Sequence, residues 1–149
     1  MKICLVCSHG GHLTETLQIM EAFVGHDCFF VTYHSSRDNT VMSLTRAYFT
    51  QNIGMNVWRM AKAMLWAPTI LRREKPDVIL SLGAEIALPF MVWGWLLRIR
   101  TIFIESWCRT DDLSLTGRLV MPIVDRFWVQ WPQLLTICSE KAECHGAVI

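Results

Sequence analysis

Residues 2–33 read as one strand–turn–helix–strand unit, and that unit constrains the fold more than anything else in the chain. Lys2 to Ser8 is a short, nearly continuous apolar run, which is how a parallel strand covered on both faces reads. His9-Gly10-Gly11-His12 then makes a tight turn. Leu13, Leu17, Met20 and Val24 follow at helical spacing, and Gly25 is a suitable stop. Cys28 to Tyr33 is a second apolar strand. A crossover between parallel strands is right-handed, so the handedness of this unit is expected to be fixed.

The rest of the chain repeats the alternation. His34 to Thr40 is polar and loop-like, and Val41 to Thr50 fits a short helix followed by a short strand. Val57 to Arg73 reads as a helix apolar nearly all round, with Pro68 expected to kink or divide it. Lys75-Pro76-Asp77 is a turn, Val78 to Leu82 a strand, Glu85 to Leu97 a helix and Arg100 to Ile104 a strand. Ser114 to Val124 has helical character, Phe127 to Gln130 is a strand, and the tail from Ala142 has room for one more. The expected fold is α/β: a Rossmann-like, mostly parallel sheet flanked by helices. At 149 residues, positions 1–149 are expected to form a single domain.

Composition excludes several classes of function. A net charge of +1 carries no field for nucleic acid. The uncharged run Ile86 to Leu97 is too short for a bilayer span of about 20 residues, and the start carries no signal-peptide pattern. A cytosolic or peripheral protein is therefore expected. Cys4-x-x-Cys7 resembles a metal or redox motif, but residues three apart on a strand point to opposite faces. Both are expected to be buried small hydrophobes, and no metal or other cofactor is expected.

Ligands of such sheets bind beyond the carboxyl ends of the strands, where three loops are candidates. The first is Ser8-His9-Gly10-Gly11-His12, whose glycines open the backbone to an anion at a helix start. It lacks the G-x-G-x-x-G spacing, which argues against a nucleotide-dependent oxidoreductase. His12 either caps the helix or binds phosphate or takes a proton. The second loop is Gly83-Ala84-Glu85. The third is Glu105-Ser106-Trp107-Cys108-Arg109, where Glu105 is either solvated loop or site. Arg109 and Arg118 each suit Asp111 or Asp112, or phosphate; a structural salt bridge is the expectation for Arg118, and Arg109 stays open between the two. Trp58, Trp66, Trp93 and Trp95 accompany Arg59, Lys62, Arg72, Arg73, Arg98 and Arg100, as in an interfacial helix, so membrane or partner contact is expected there.

The third loop and the segments C-terminal to it carry a resemblance. Glu105-Ser106-Trp107-Cys108-Arg109, Leu113-Ser114-Leu115-Thr116-Gly117-Arg118, Pro122 to Phe127 and Val129-Gln130-Trp131-Pro132, together with Ser8-x-Gly10-Gly11-His12 and Lys75-Pro76-Asp77 through Gly83, resemble the Alg14-like family. These are acceptor-side, membrane-associated subunits of a split UDP-N-acetylglucosamine transferase of lipid-linked oligosaccharide synthesis, with bacterial polysaccharide-biosynthesis counterparts. The resemblance implies the N-terminal half of a GT-B glycosyltransferase whose donor-binding half is a separate polypeptide. It implies a lipid-linked, polyprenyl diphosphate acceptor whose diphosphate lies at Ser8, His9, Gly10, Gly11 and His12. It makes His12 and Glu105 the candidates to orient or deprotonate the attacking hydroxyl, with Gly83, Glu85, Ser106 and Arg109 nearby. It places the protein at the cytoplasmic face of a membrane, inactive without its partner. His9 departs from the small residue more usual at that position, and the protein is expected to lack the hydrophobic N-terminal anchor of the eukaryotic members, as the bacterial type would. The competing reading is a non-enzymatic membrane scaffold that only recruits and stabilises a complete enzyme.

Overall fold

The computed structural model describes residues 1–148; Ile149 lies outside the described residues. Seven strands form one sheet: β1 Lys2–Val6, β2 Asp27–Tyr33, β3 Arg46–Thr50, β4 Val78–Ser81, β5 Arg100–Ile104, β6 Arg126–Val129 and β7 Ala142–Cys144. Every pairing is parallel, and the order is β3-β2-β1-β4-β5-β6-β7. The order reverses direction between β1 and β4, which opens a crevice at their carboxyl ends.

Side-chain alternation sorts the strands into two cores. Cys4, Val6, Phe29, Val31, Ile79, Phe103 and Phe127 face one side, under helices α3 (Val57–Glu74), α4 (Ala87–Leu96) and α5 (Leu115–Val120). Ile3, Leu5, Cys7, Phe30, Leu80 and Ile104 face the other, under α1 (Gly11–Gln18) and α2 (Asp38–Leu44). Cys4 and Cys7 thus lie on opposite faces, both buried and free. Among the described residues no group of three or more His, Cys, Asp or Glu side chains is placed to hold a metal ion.

Helix α3 is not divided at Pro68. A proline has no N–H to give the carbonyl four residues back, here that of Met64. The Trp93 indole of α4 donates to that carbonyl instead, at 2.7 Å, which satisfies it and ties the helix to its neighbour. Gly94 makes the same packing possible from below, since a Cβ there would lie 2.6 Å from Thr101 Cγ2.

Three boundaries differ from the sequence expectation. Helix α1 ends at Gln18 and tightens into a 3₁₀ turn, Met20–Phe23, through Ala22 N–H to Ile19 O, which leaves Val24 out in solvent. Helix α2 starts at Asp38, inside the stretch expected to be loop. Helix α5 stops at Val120 rather than Val124, two residues before Pro122, which cannot continue it.

Candidate functional site

His12 is the second residue of α1, and its placement is fixed from the neighbouring strand. Its Nδ1 lies 2.8 Å from the carbonyl oxygen of Leu82, just past β4. A carbonyl only accepts, so Nδ1 carries the hydrogen, and the unprotonated nitrogen of the neutral ring is Nε2. Gly83 makes this approach possible. Its φ is +110°, and a Cβ there would stand 2.7 Å from His12 Cε1. At Gly10 the need is conformational (φ +87°), and among the described residues no atom beyond the chain neighbours and the helix's own backbone lies within 4 Å of a Cβ built at Gly10 or Gly11, so the start of α1 faces open space.

Glu105 is fully buried beneath the site. Its Oε1 accepts the Ser106 N–H at 3.0 Å, and its Oε2 accepts both the N–H and the hydroxyl of Ser114, each at 3.0 Å. Ser114 Oγ in turn accepts the Gly117 N–H at 2.9 Å, capping α5. The carboxylate thereby fixes the whole loop from β5 to α5, and it does not line the cleft above.

A second buried carboxylate, Glu15, escaped the sequence reading. It is 1% exposed and accepts from the Ser106 hydroxyl (2.7 Å), the Trp107 N–H (3.2 Å) and the Gln130 amide (2.9 Å). Gln130 also donates to the Glu105 carbonyl, at 3.0 Å. The only signal in the sequence was Glu15's place three residues after His12, the spacing at which helical side chains share a face.

Above this buried layer lies a cleft of about 490 Å³. His12, Glu85, Ser106, Cys108, Arg109 and Ser114 supply its polar lining. Met55, Met60, Leu88, Leu115 and Leu119 supply its apolar lining. The Glu85 carboxylate accepts from Tyr33 Oη and Gly54 N, both at 3.0 Å, and so holds the loop that carries Met55. Burial, and after it the Glu85 charge, push the Tyr33 phenol up, so that it serves as a donor. His9 is exposed and packs edge-on against the Tyr33 ring, with centroids 5.8 Å apart. Ser8 donates only to the His9 carbonyl, at 3.3 Å. Arg109 makes no side-chain ion pair among the described residues, whereas Arg118 is paired with Asp112 at the surface. Arg37, also missed in the sequence, donates to Thr14 Oγ1 at 2.9 Å and brings a second cation to the first turn of α1.

The four tryptophans do not form one surface. Trp66 and Trp93 are half-buried between α3 and α4, Trp66 edge-on to Phe90 and Trp93 bonded to Met64 O. Trp58, at the start of α3, and Trp95, at the end of α4, are exposed. Met55, Val57 and Leu65 are exposed near Trp58, and Arg59 and Lys62 share that part of α3. Among the described residues no helix is long and apolar enough to cross a membrane.

A parallel sheet in this order, with its cleft beyond the carboxyl ends of β1, β4 and β5, defines a Rossmann-like domain of the kind that forms one half of a GT-B fold. Its fold matches that of Acinetobacter baumannii MurG with a TM-score of 0.79 and 15% identity, over 100% of this chain and 46% of that one. It also matches the UDP-GlcNAc 2-epimerase of Methanocaldococcus jannaschii, with a TM-score of 0.76 and 17% identity, over 99% of this chain and 46% of that one. The chain thus spans slightly under half of each. Residues 32–148 match the family described as oligosaccharide biosynthesis protein Alg14 like, and the chain belongs to that family. It is 33% identical to the mouse UDP-N-acetylglucosamine transferase subunit ALG14 over 169 residues, 90% of this chain and 77% of that protein. Its counterpart of that name in Schizosaccharomyces pombe is 27% identical over 172 residues, 93% of this chain and 79% of that protein.

Proposed function

We propose that residues 1–149 form the acceptor-binding, membrane-recruiting subunit of a two-chain glycosyltransferase. Its reaction is transfer of a hexose or N-acetylhexosamine from a UDP-sugar to a polyprenyl-diphosphate acceptor. The observation that carries this reading is the His12–Leu82 bond, which leaves Nε2 as the free base of a cleft lined by both polar and apolar side chains. In the proposed step the acceptor hydroxyl attacks the anomeric carbon and its proton passes to His12 Nε2. The bond from that carbon to UDP breaks, and UDP leaves with the electron pair. Family membership, and relatives named as UDP-N-acetylglucosamine transferase subunits, support the donor and the need for a second chain.

In this reading the acceptor diphosphate lies against the N–H groups of Gly10 and Gly11 and near Arg109, where a helix start favours negative charge. Glu105 acts by fixing the loop, since all its bonds are to the protein around it. The exposed Met55, Val57, Trp58 and Leu65 with Arg59 and Lys62 rest on an anionic membrane beside the cleft mouth. The test is transfer from UDP-N-acetylglucosamine to a polyprenyl-diphosphate monosaccharide, by the chain alone, by its donor-binding partner alone and by the pair. Only the pair is expected to transfer, and His12→Ala in the pair is expected to lower kcat by about 10²- to 10⁴-fold. Full activity from this chain alone would sink the reading.

A further inference from the structure

We infer that Glu15 is the charge partner of His12: a buried carboxylate that stabilises the imidazolium formed when Nε2 takes the acceptor proton. The inference rests on the general-base reading of His12. Glu15 Oε1 lies 3.9 Å from His12 Nδ1, and among the described residues it is the one carboxylate within ion-pair distance of that ring. The Leu82 carbonyl fixes the tautomer but is neutral, so it compensates little of the positive charge that the ring acquires. Glu105, although fully buried nearby, directs both oxygens to Ser106 and Ser114.

Burying a carboxylate is costly unless donors surround it, and an apolar residue of similar size would often serve the fold as well. Here three donors from two other segments hold Glu15: Ser106 Oγ, Trp107 N–H and Gln130 Nε2. Gln130 is itself held, its Oε1 accepting the Val148 N–H at 2.9 Å. The charge is therefore fixed in position behind His12, where water does not screen it and attraction to a newly formed cation is strong. Glu15 touches no cleft ligand and acts through His12, so it is a positioning residue.

The experiment measures Glu15→Gln and Glu15→Asp in the assembled transferase, with UDP-N-acetylglucosamine and a polyprenyl-diphosphate monosaccharide. The Gln variant is expected to lower kcat by roughly 10- to 100-fold with acceptor KM within about threefold of wild type, because the charge matters to the transition state and not to binding. The Asp variant, which keeps the charge but withdraws it by one methylene, should fall between the two. Wild-type kcat in Glu15→Gln, or equal losses in Gln and Asp, overturns the inference. If thermal melting shows that Glu15→Gln does not fold, Glu15→Asp decides alone: a lowered kcat at unchanged KM supports the inference and an unchanged kcat overturns it. An active pair that His12→Ala inactivates, with Glu15→Gln at wild-type kcat, removes this inference and leaves the base in place. A pair in which His12→Ala keeps full kcat removes both.

Discussion

The His12 imidazole lies where a side chain at Gly83 would have to go: Nδ1 donates to Leu82 O at 2.8 Å while Cε1 lies 2.7 Å from where a Gly83 Cβ would stand. Gly83→Ala is therefore expected to push the ring out of the cleft and to force a side chain into a left-handed backbone, at φ +110°. The strain alone costs on the order of 1–3 kcal/mol. We expect a lower thermal midpoint and at least about a tenfold loss of kcat in the assembled transferase. A variant with normal kcat would mean that the ring position has no bearing on transfer.

Gly117 offers a sharper test of Glu105. It lies within α5, where Ala would ordinarily stabilise a helix by about 1 kcal/mol. A Cβ there would fall 2.2 Å from Glu105 Oε2 and would displace a carboxylate that holds Ser106 and Ser114. Gly117→Ala is thus expected to destabilise by about 1–3 kcal/mol, opposite in sign to its helix propensity. Urea unfolding of the isolated chain reads this directly, and a midpoint raised by the substitution would remove Glu105 as the anchor of the loop.

The layout of the sheet was legible in the sequence because buried parallel strands are continuous apolar runs with polar punctuation between them. The strands Cys28 to Tyr33 and Arg100 to Ile104 fall where the pattern predicts. Contacts made across the fold were not legible. Pro68 carries a strong local signal to break α3, and nothing near it announces that Trp93, 25 positions on, would serve the orphaned Met64 carbonyl. Trp66 and Trp93 read as interfacial by composition, whereas packing between two helices turned them inward. No local feature announces what happens to Glu15. Its burial depends on Ser106 and Gln130, which lie 91 and 115 positions away and meet it only when β5 and β6 join the sheet.

The six cysteines are expected to divide by reactivity. Burial pushes the Cys4 thiol well up and the Cys7 thiol up to about 11, and Cys28 is also raised by burial. The thiolate is the reactive form, so all three should resist alkylation in the native protein. Cys108 is exposed and lines the cleft. Brief iodoacetamide treatment followed by peptide mass spectrometry should label Cys108 far ahead of Cys4 and Cys7. Early labelling of Cys4 or Cys7 would contradict their enclosure in the two cores.

Acid stability should depend on Glu74, at the end of α3. The Tyr48 hydroxyl donates to it, Lys2 and Arg46 lie beside it, and these partners together hold its carboxyl below the usual range against the opposing effect of burial. A depressed folded value means that the stabilisation is complete above the unfolded carboxylate value of about 4.3 and is lost as pH falls through the folded one. Glu74→Gln should therefore be less stable than wild type at pH 7 and converge on it as pH drops below about 4. Parallel curves for the two proteins across that window would show that Glu74 contributes nothing through its charge.

The exposed tryptophans lie at two ends of the molecule and allow the proposed membrane contact to be tested at each. Helix α3 has 18 residues and so runs about 27 Å, from the cleft edge of the sheet toward the opposite edge. Helix α4 likewise starts after β4, beyond the carboxyl edge, so Trp58 lies beside the cleft and Trp95 at the far end. If lipid meets the protein where a polyprenyl acceptor enters, Trp58→Glu should weaken flotation with phosphatidylglycerol vesicles by about tenfold or more, the loss expected from withdrawing one large apolar side chain. Arg59→Ala with Lys62→Ala should weaken it further at low salt and less at high salt, because the attraction to anionic lipid is screened. Trp95→Glu should leave flotation close to wild type. The reverse pattern, with Trp95 required and Trp58 dispensable, would turn the opposite edge to the bilayer and leave the cleft facing away from its proposed lipid.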